Sequence, residues 1–280
     1  MSFHIILFKT VLVCYLTATV LYLLHVVGRK EIPGRIARWF LLGGAVVQLT
    51  AFISQFVQLG HTPVTNMHES LSFFAWSLVV VFLLFDIRYR LSVMGVFSSV
   101  LAVITMLGSG IAPKAVVPIN PALNSWWFPL HVTFAFLGNA AFAMAFGAGV
   151  MYLLQDRMLK SKRFSALYYR LPSLDTLDSI NYRALSLGFP LMTLGIITGA
   201  AWAESVWGTY WSWDPKETWA LMTWFVYAAL LHGRLSIGWR GRRAAIFAII
   251  GFACLLFTFL GVNLLLKGQH TFEALLGAPY

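Results

Sequence analysis

Eight apolar runs, each about as long as a bilayer is thick, constrain this chain more than any other feature. A helix needs roughly 20 apolar residues to cross the hydrocarbon core. Runs of that length lie near residues 3–27, 37–59, 69–85, 91–111, 129–155, 184–203, 215–235 and 244–266. Only 11% of the 280 residues are charged and 59% are hydrophobic, whereas an average soluble domain carries about 25% charged residues. So few polar groups cannot cover a water-facing surface. An ordinary soluble enzyme, a disordered chain and a coiled coil are excluded. The expected fold is an all-α integral membrane protein of about eight transmembrane helices, forming a single polytopic domain over residues 1–280.

The net charge of +10 could suggest nucleic acid, but the placement of the cations argues otherwise. Arg29, Lys30, Arg35 and Arg38 follow the first run; Arg88 and Arg90 follow the third. Arg157, Lys160, Lys162, Arg163, Arg170 and Arg183 follow the fifth, and Arg234, Arg240, Arg242 and Arg243 follow the seventh. The opposite turns hold only Lys114, Lys216 and Lys267. The positive-inside rule then puts the basic turns in the cytoplasm and both termini outside. Orientation and anionic lipid headgroups account for the charge, so no nucleic-acid partner is expected. Between runs five and six, Leu174, Leu177 and Ile180 recur at near-helical spacing after Pro172 and Ser173, which predicts a short interfacial helix.

Cys14 and Cys254 both sit inside apolar runs, too few and too buried by pattern for a disulfide framework or a CxxC pair. No cleavable signal peptide is expected, because the first run lacks a basic n-region and a small-residue cleavage site. No internal repeat or low-complexity segment stands out.

Aromatic residues are concentrated. The segment WAESVWGTYWSWDPKETWALMTW, residues 202–224, holds six of the 11 tryptophans. An interfacial belt would spread Trp over many helix ends. One loop this rich suggests a platform for a flat, polarizable ligand. Trp207, Tyr210 and Trp211 would share a face if they lay on a short helix. Asp214, Pro215 and Glu217 have the spacing of a capping box with Pro at N1, so a structural role comes first for both acids. Asn66 and Glu69 repeat the pattern before the third run. Lys216 is either a solvated lysine or a partner for a ligand carboxylate at a positive helix terminus.

The histidines divide by depth. His131 opens the fifth run after Trp126 and Trp127, and His270 follows the eighth. Both belong to the same outward side as the Trp segment. Two imidazoles flanking an aromatic shelf suit a bis-histidine haem site, although a lone interfacial His is more often merely hydrogen-bonded. His232 lies about 25 Å into the seventh run at 1.5 Å per residue, and ionisable groups at depth are functional candidates. His25 lies at a similar depth beside Arg29, a lesser candidate. His4, His61 and His68 receive no ligand role.

The segment WGTYWSWDPKETWALMTWFVYAALLHGR, residues 207–234, resembles the tryptophan-rich WWD signature of cytochrome c assembly proteins. The continuation WDPKETW followed by YAALLHGR is similar to the CcsA/ResC branch of System II rather than to CcmC or CcmF of System I. PVTNMHESLSFFAW, WWFPLHVTFAFLGNAAF and GVNLLLKGQHTF resemble the family's other outward segments. The likeness covers roughly residues 63–272, with the WWD loop at 202–219, and departs at His68, where Tyr is expected.

The resemblance implies a subunit of a holocytochrome c synthase in the inner or plasma membrane, with its WWD face on the periplasmic side. It implies a ResB/CcsB-type membrane partner, apocytochrome c as substrate, a thioredoxin-like thiol reductant, and haem b, preferably reduced. By residue match, His131 and His270 would ligate the outer haem iron and His232 the inner one, the second inner ligand coming from the partner or from His25. Trp207, Tyr210, Trp211, Trp213, Asp214 and Trp219 would hold the haem. No catalytic residue is assigned, because the substrate's thiols add to the haem vinyl groups and the protein supplies position. Three alternatives stand beside it: a CcmC-like haem exporter or chaperone, a cytochrome b-type electron carrier, and a transporter of another hydrophobic solute. Only the run at 3–27 carries two histidines, His4 and His25, at its two ends rather than about four turns apart as paired haem ligands would be, which disfavours the second. The third would leave the outer histidine pair unexplained.

Overall fold

The computed structural model describes residues 2–28, 30–89, 92–112, 125–162 and 164–266. Among these residues every regular element is helical. Eight helices follow in order: α1 (Ser2–Gly28), α2 (Glu31–Leu59), α3 (Met67–Tyr89), α4 (Ser92–Ile111), α5 (Trp127–Lys160), α6 (Leu174–Trp207), α7 (Pro215–His232) and α8 (Arg242–Leu256). Single π-helical turns extend α7 over Gly233–Ile237 and α8 over Phe257–Gly261, and a last helical turn covers Val262–Leu265. All eight, with these extensions, are long and apolar enough to cross a membrane.

The eight expected spans are all present, and the main differences are at their ends. Helices α5 and α6 have 34 residues each, about 50 Å at 1.5 Å per residue, against a hydrocarbon core of about 30 Å. The expected interfacial helix does not stand alone. It is the first part of α6, because Leu177, Ile180, Ala184 and Leu185 form one buried stripe that runs across the supposed break. Ser173 caps the start, accepting a hydrogen bond from the Thr176 amide at 3.2 Å.

The chain forms two compact units, residues 1–114 and 115–280. In the first, each helix packs on the next and α1 returns to α4, closing a four-helix bundle. Its centre is polar and paired. The Tyr15 hydroxyl donates to Gln48 Oε1 at 2.7 Å, and Gln48 Nε2 donates to the Ser72 carbonyl at 2.9 Å and hydroxyl at 3.0 Å. Met106 sulfur lies 3.4 Å from the same amide, so α1, α2, α3 and α4 all meet at one side chain. Asp86, 2% exposed, is held by Arg38 of α2, which satisfies a carboxylate too buried to remain alone.

In the second unit α5, α6, α7 and α8 close a similar ring. Tyr227 of α7 stacks flat on Phe142 of α5, with ring centroids 3.6 Å apart. At the start of α6, Asp178 accepts two hydrogen bonds from Arg234, at 3.0 and 2.8 Å, and one from the Gly241 amide at 2.8 Å. This clamp ties the π turn after α7 and the start of α8 to α6.

Candidate functional site

The opposite end of this unit, where α5 begins, α6 ends and α7 begins, gathers His131 and most of the aromatic groups singled out above. His131 lies on the second turn of α5. Its Nδ1 is 2.7 Å from the carbonyl oxygen of Gly195 on α6. Its ring is parallel to that of Trp202, with 5° between the planes and 6.3 Å between centroids. Trp202 is 3% exposed and also packs against Phe128 and edge-on against Trp207. The buried indole of Trp202 therefore links His131 to the start of the Trp-rich loop.

That loop is not helical where the shared aromatic face was expected. Helix α6 ends at Trp207, and Gly208 takes the left-handed C-cap conformation at φ 73°, its amide bonding to the Glu204 carbonyl. Residues 209–214 run as an irregular connection held by its own polar groups. The Trp211 amide bonds to the Thr209 hydroxyl at 3.3 Å, and that hydroxyl donates to the Trp211 carbonyl at 3.1 Å. Trp207 and Trp211 thus sit on differently built segments. Tyr210 and Trp213 are 64% and 69% exposed, and Trp211 meets Trp213 edge-on at 5.9 Å. Trp213 holds a left-handed backbone at φ 59°. The indole N–H of Trp211 is buried without a hydrogen-bond partner, a donor that a ligand carboxylate would satisfy.

The capping box forms as expected. Asp214, 7% exposed, caps α7 by accepting from the Lys216 amide at 2.9 Å. One oxygen of Glu217 accepts from the Ser212 amide at 2.8 Å, the Ser212 hydroxyl at 3.2 Å and the Asp214 amide at 3.2 Å. Asn66 likewise caps α3, while Glu69 reaches back to Thr65.

Trp219 faces a different neighbour, packing on Phe257 of the second π turn at 4.3 Å. Trp224 donates to the Thr193 hydroxyl at 2.9 Å. His232 lies at the far end of α7, exposed, with Nδ1 3.5 Å from the Ser236 hydroxyl. The Gly195 level, where His131 binds, and the Asp178 level, beside the turn after His232, are 17 residues apart on α6, about 25 Å. His131 and His232 therefore serve opposite ends of the unit. His270 lies outside the described residues.

In the first unit, His68 Nδ1 bonds to the Ser109 carbonyl at 2.6 Å, and His25 Nδ1 bonds to the Lys30 carbonyl. Trp202, Gly195 and the Asp178–Arg234 pair were not singled out from the sequence. The run Gly195-Ile-Ile-Thr-Gly199 held a signal for Gly195, since small residues four apart let helices approach closely.

The fold defines a multi-pass α-helical membrane protein, one end of which carries an imidazole fixed beside clustered tryptophans. Its sequence relationships then place it. The chain belongs to the cytochrome C assembly protein family, whose pattern it matches over residues 64–270. The cytochrome c biogenesis protein CcsA of Chlamydomonas reinhardtii is 40% identical over 220 residues, 76% of this chain and 61% of that protein. CcsA of Guillardia theta is 35% identical over 248 residues, covering 81% of this chain and 82% of that one. CcsA of Synechococcus elongatus is 37% identical over 264 residues, with 78% and 81% covered. Among solved structures, the cytochrome c heme lyase CcmF superimposes on 98% of this chain with a TM-score of 0.67 at 19% identity, a likeness of fold. The chain spans 48% of the length of CcmF.

Proposed function

We propose that this chain is the haem-handling subunit of a System II cytochrome c synthase. In this reading it works with a ResB/CcsB-type partner in the inner or plasma membrane. It receives protohaem, carries it outward and presents it to apocytochrome c, with the WWD loop on the periplasmic side. Haem is cargo and substrate here rather than a resident cofactor. The observation that carries the reading is His131, fixed by a helix carbonyl and stacked beside a buried tryptophan at the head of a Trp-rich loop, in a member of the cytochrome c assembly family.

The residues present suit a porphyrin. A carbonyl oxygen only accepts, so Nδ1 of His131 is the nitrogen that carries hydrogen, and in the neutral form of the ring the lone pair that can ligate a metal would be on Nε2. Trp207, Tyr210, Trp211 and Trp213 supply polarizable rings, and the orphaned Trp211 N–H supplies a donor for a haem carboxylate. Asp214 and Trp219 act through the cap and helix that hold the loop in place. His270 would be the second outer ligand. His232, exposed at the other end of the unit, would be an inner ligand completed by the partner.

Attachment needs no nucleophile from this chain. Each substrate cysteine adds S–H across a vinyl C=C: the C–S bond forms, and the hydrogen goes to the other vinyl carbon, with no net change in oxidation state. A thioredoxin-like reductant keeps the substrate's thiols free. The protein's contribution is to hold a flat ligand with its reactive edge reachable.

The test is coexpression with a ResB-type partner and an apocytochrome c reporter. The double variant His131→Ala, His270→Ala is expected to abolish covalent haem on the reporter while the complex still accumulates. Normal maturation in that variant would overturn the outer-ligand assignment. Purified His232→Ala complex is expected to lose a distinct haem population, and unchanged spectra would remove His232 from the site. Haem binding without attachment, in the otherwise intact complex, would favour an exporter or chaperone.

A further inference from the structure

We propose that α6 locks the ring of His131 into one tautomer and one orientation, with Gly195 and Gly199 as its positioning residues. The link to haem rests on the functional reading above; the lock itself stands on geometry.

Three contacts from one helix converge on this imidazole. The Gly195 carbonyl takes the Nδ1 hydrogen at 2.7 Å. One turn on, a Cβ built at Gly199 would lie 2.6 Å from His131 Nδ1 and 2.8 Å from Cε1, closer than real contacts allow. Three residues further, the Trp202 ring lies parallel to the imidazole. Positions 195, 199 and 202 are spaced four and three apart, so they line one face of α6. The ring thus has an acceptor at one nitrogen, a gap made by a missing side chain, and a flat neighbour.

The register that brings these together is also constrained. A Cβ at Gly195 would meet the Ala135 amide nitrogen at 3.3 Å, and one at Gly138 would meet the Met192 amide nitrogen at 3.1 Å. The α5 and α6 backbones approach closely at both levels, so sliding one helix along the other would bring larger side chains into these contacts. The Thr198 hydroxyl adds a second bond to the Gly195 carbonyl at 3.2 Å. A ligand histidine oriented through its other nitrogen by a backbone carbonyl is a general device for fixing tautomer and ring plane. Here it would leave Nε2 as the nitrogen to bind iron. Gly199 leaves the ring its place: a Cβ there would force the imidazole or the helix to shift.

Nitrogen-15 histidine NMR of the haem-free full chain in nanodiscs tests the lock directly, with the His131 signal identified by its loss in His131→Gln. The expected result is the Nδ1–H tautomer; an Nε2–H tautomer in the wild-type chain would overturn the proposal whether or not any variant folds. Gly199→Ala is expected to change the tautomer mixture and to weaken protohaem binding about 10- to 100-fold, the usual effect of losing an outer-shell support. Gly251→Ala is the control: its Cβ would strike the Tyr227 ring at 2.7 Å, a comparable clash in the same unit but on α8, outside the α5–α6 contact. It is expected to leave the His131 signal and haem affinity unchanged. Equal effects of both variants, or none from Gly199→Ala, would overturn the lock. Unchanged haem affinity in His131→Gln would instead sink the ligand reading, leaving the lock to be judged by the haem-free spectra.

Discussion

Trp213 holds a left-handed backbone, φ 59°, although it carries a large side chain and is 69% exposed. That conformation costs a non-glycine residue roughly 1–2 kcal/mol. No burial of the indole offsets it. Strain kept at a surface residue inside a Trp-rich loop points to a use for the ring rather than to packing. Trp213→Gly is expected to raise thermal stability by about 1 kcal/mol in the haem-free protein, because glycine adopts this φ without penalty. The same variant is expected to retain less haem. Thermal unfolding with and without protohaem checks both, and a loss of stability in the haem-free protein would contradict the strain argument. Trp213 was legible from sequence as one of a cluster, but its backbone state was not. A positive φ arises from how the loop is pinned at Gly208 and Asp214, and Trp itself gives no hint of it.

The pinning belongs to the helix termini. Helix α7 starts at a full capping box, and Glu217 does more than close it, since one carboxylate oxygen collects the Ser212 amide, the Ser212 hydroxyl and the Asp214 amide. Glu217 thus organises the last residues of the Trp-rich connection as well as the helix. Glu217→Ala is expected to cost about 1–2 kcal/mol as the amides of a partly buried turn lose their acceptor, while Glu217→Gln keeps an acceptor oxygen and most of the stability. Amide hydrogen exchange across residues 209–214 should accelerate in the alanine variant alone. Equal exchange in both variants would reduce Glu217 to an ordinary helix cap. The box was readable because capping depends on residues three apart in one turn. The extra Ser212 contacts were not, because they require the loop to fold back onto the helix start. The interfacial helix failed for the converse reason: it was expected to stand apart from the run at 184–203, whereas Asn181 between them is buried and donates to the Ala145 carbonyl at 2.9 Å, so the helix continues through.

At the scale of the molecule, the charge pattern predicts sidedness. Tyr210 and Tyr169 are 64% and 65% exposed, one in the Trp-rich connection and one in the basic segment between α5 and α6. They sit at opposite ends of the second unit by sequence reading. In a chain with Cys14 and Cys254 replaced by alanine, a membrane-impermeant maleimide added to intact cells is expected to label Tyr210→Cys and spare Tyr169→Cys. Because the two positions are equally exposed, the difference would report sidedness; the reverse pattern would invert the assigned topology.

The amino-acid sequence by itself determined that the chain crosses a membrane with eight helices, how two of them are capped, and where aromatic rings and histidines cluster. Hydropathy, helix caps and composition are local properties, set by residues within a turn or a span of one another. The tertiary structure alone decided which of those groups meet. It put His131 on the carbonyl of Gly195, 64 residues away, Arg234 on Asp178, 56 residues away, and Gln48 between Tyr15 and Ser72. Such pairings depend on which helix faces turn toward each other and at what register. That is decided by interhelical packing, where a glycine in one helix makes room for a ring from another, and it leaves little trace in the pattern of either helix alone.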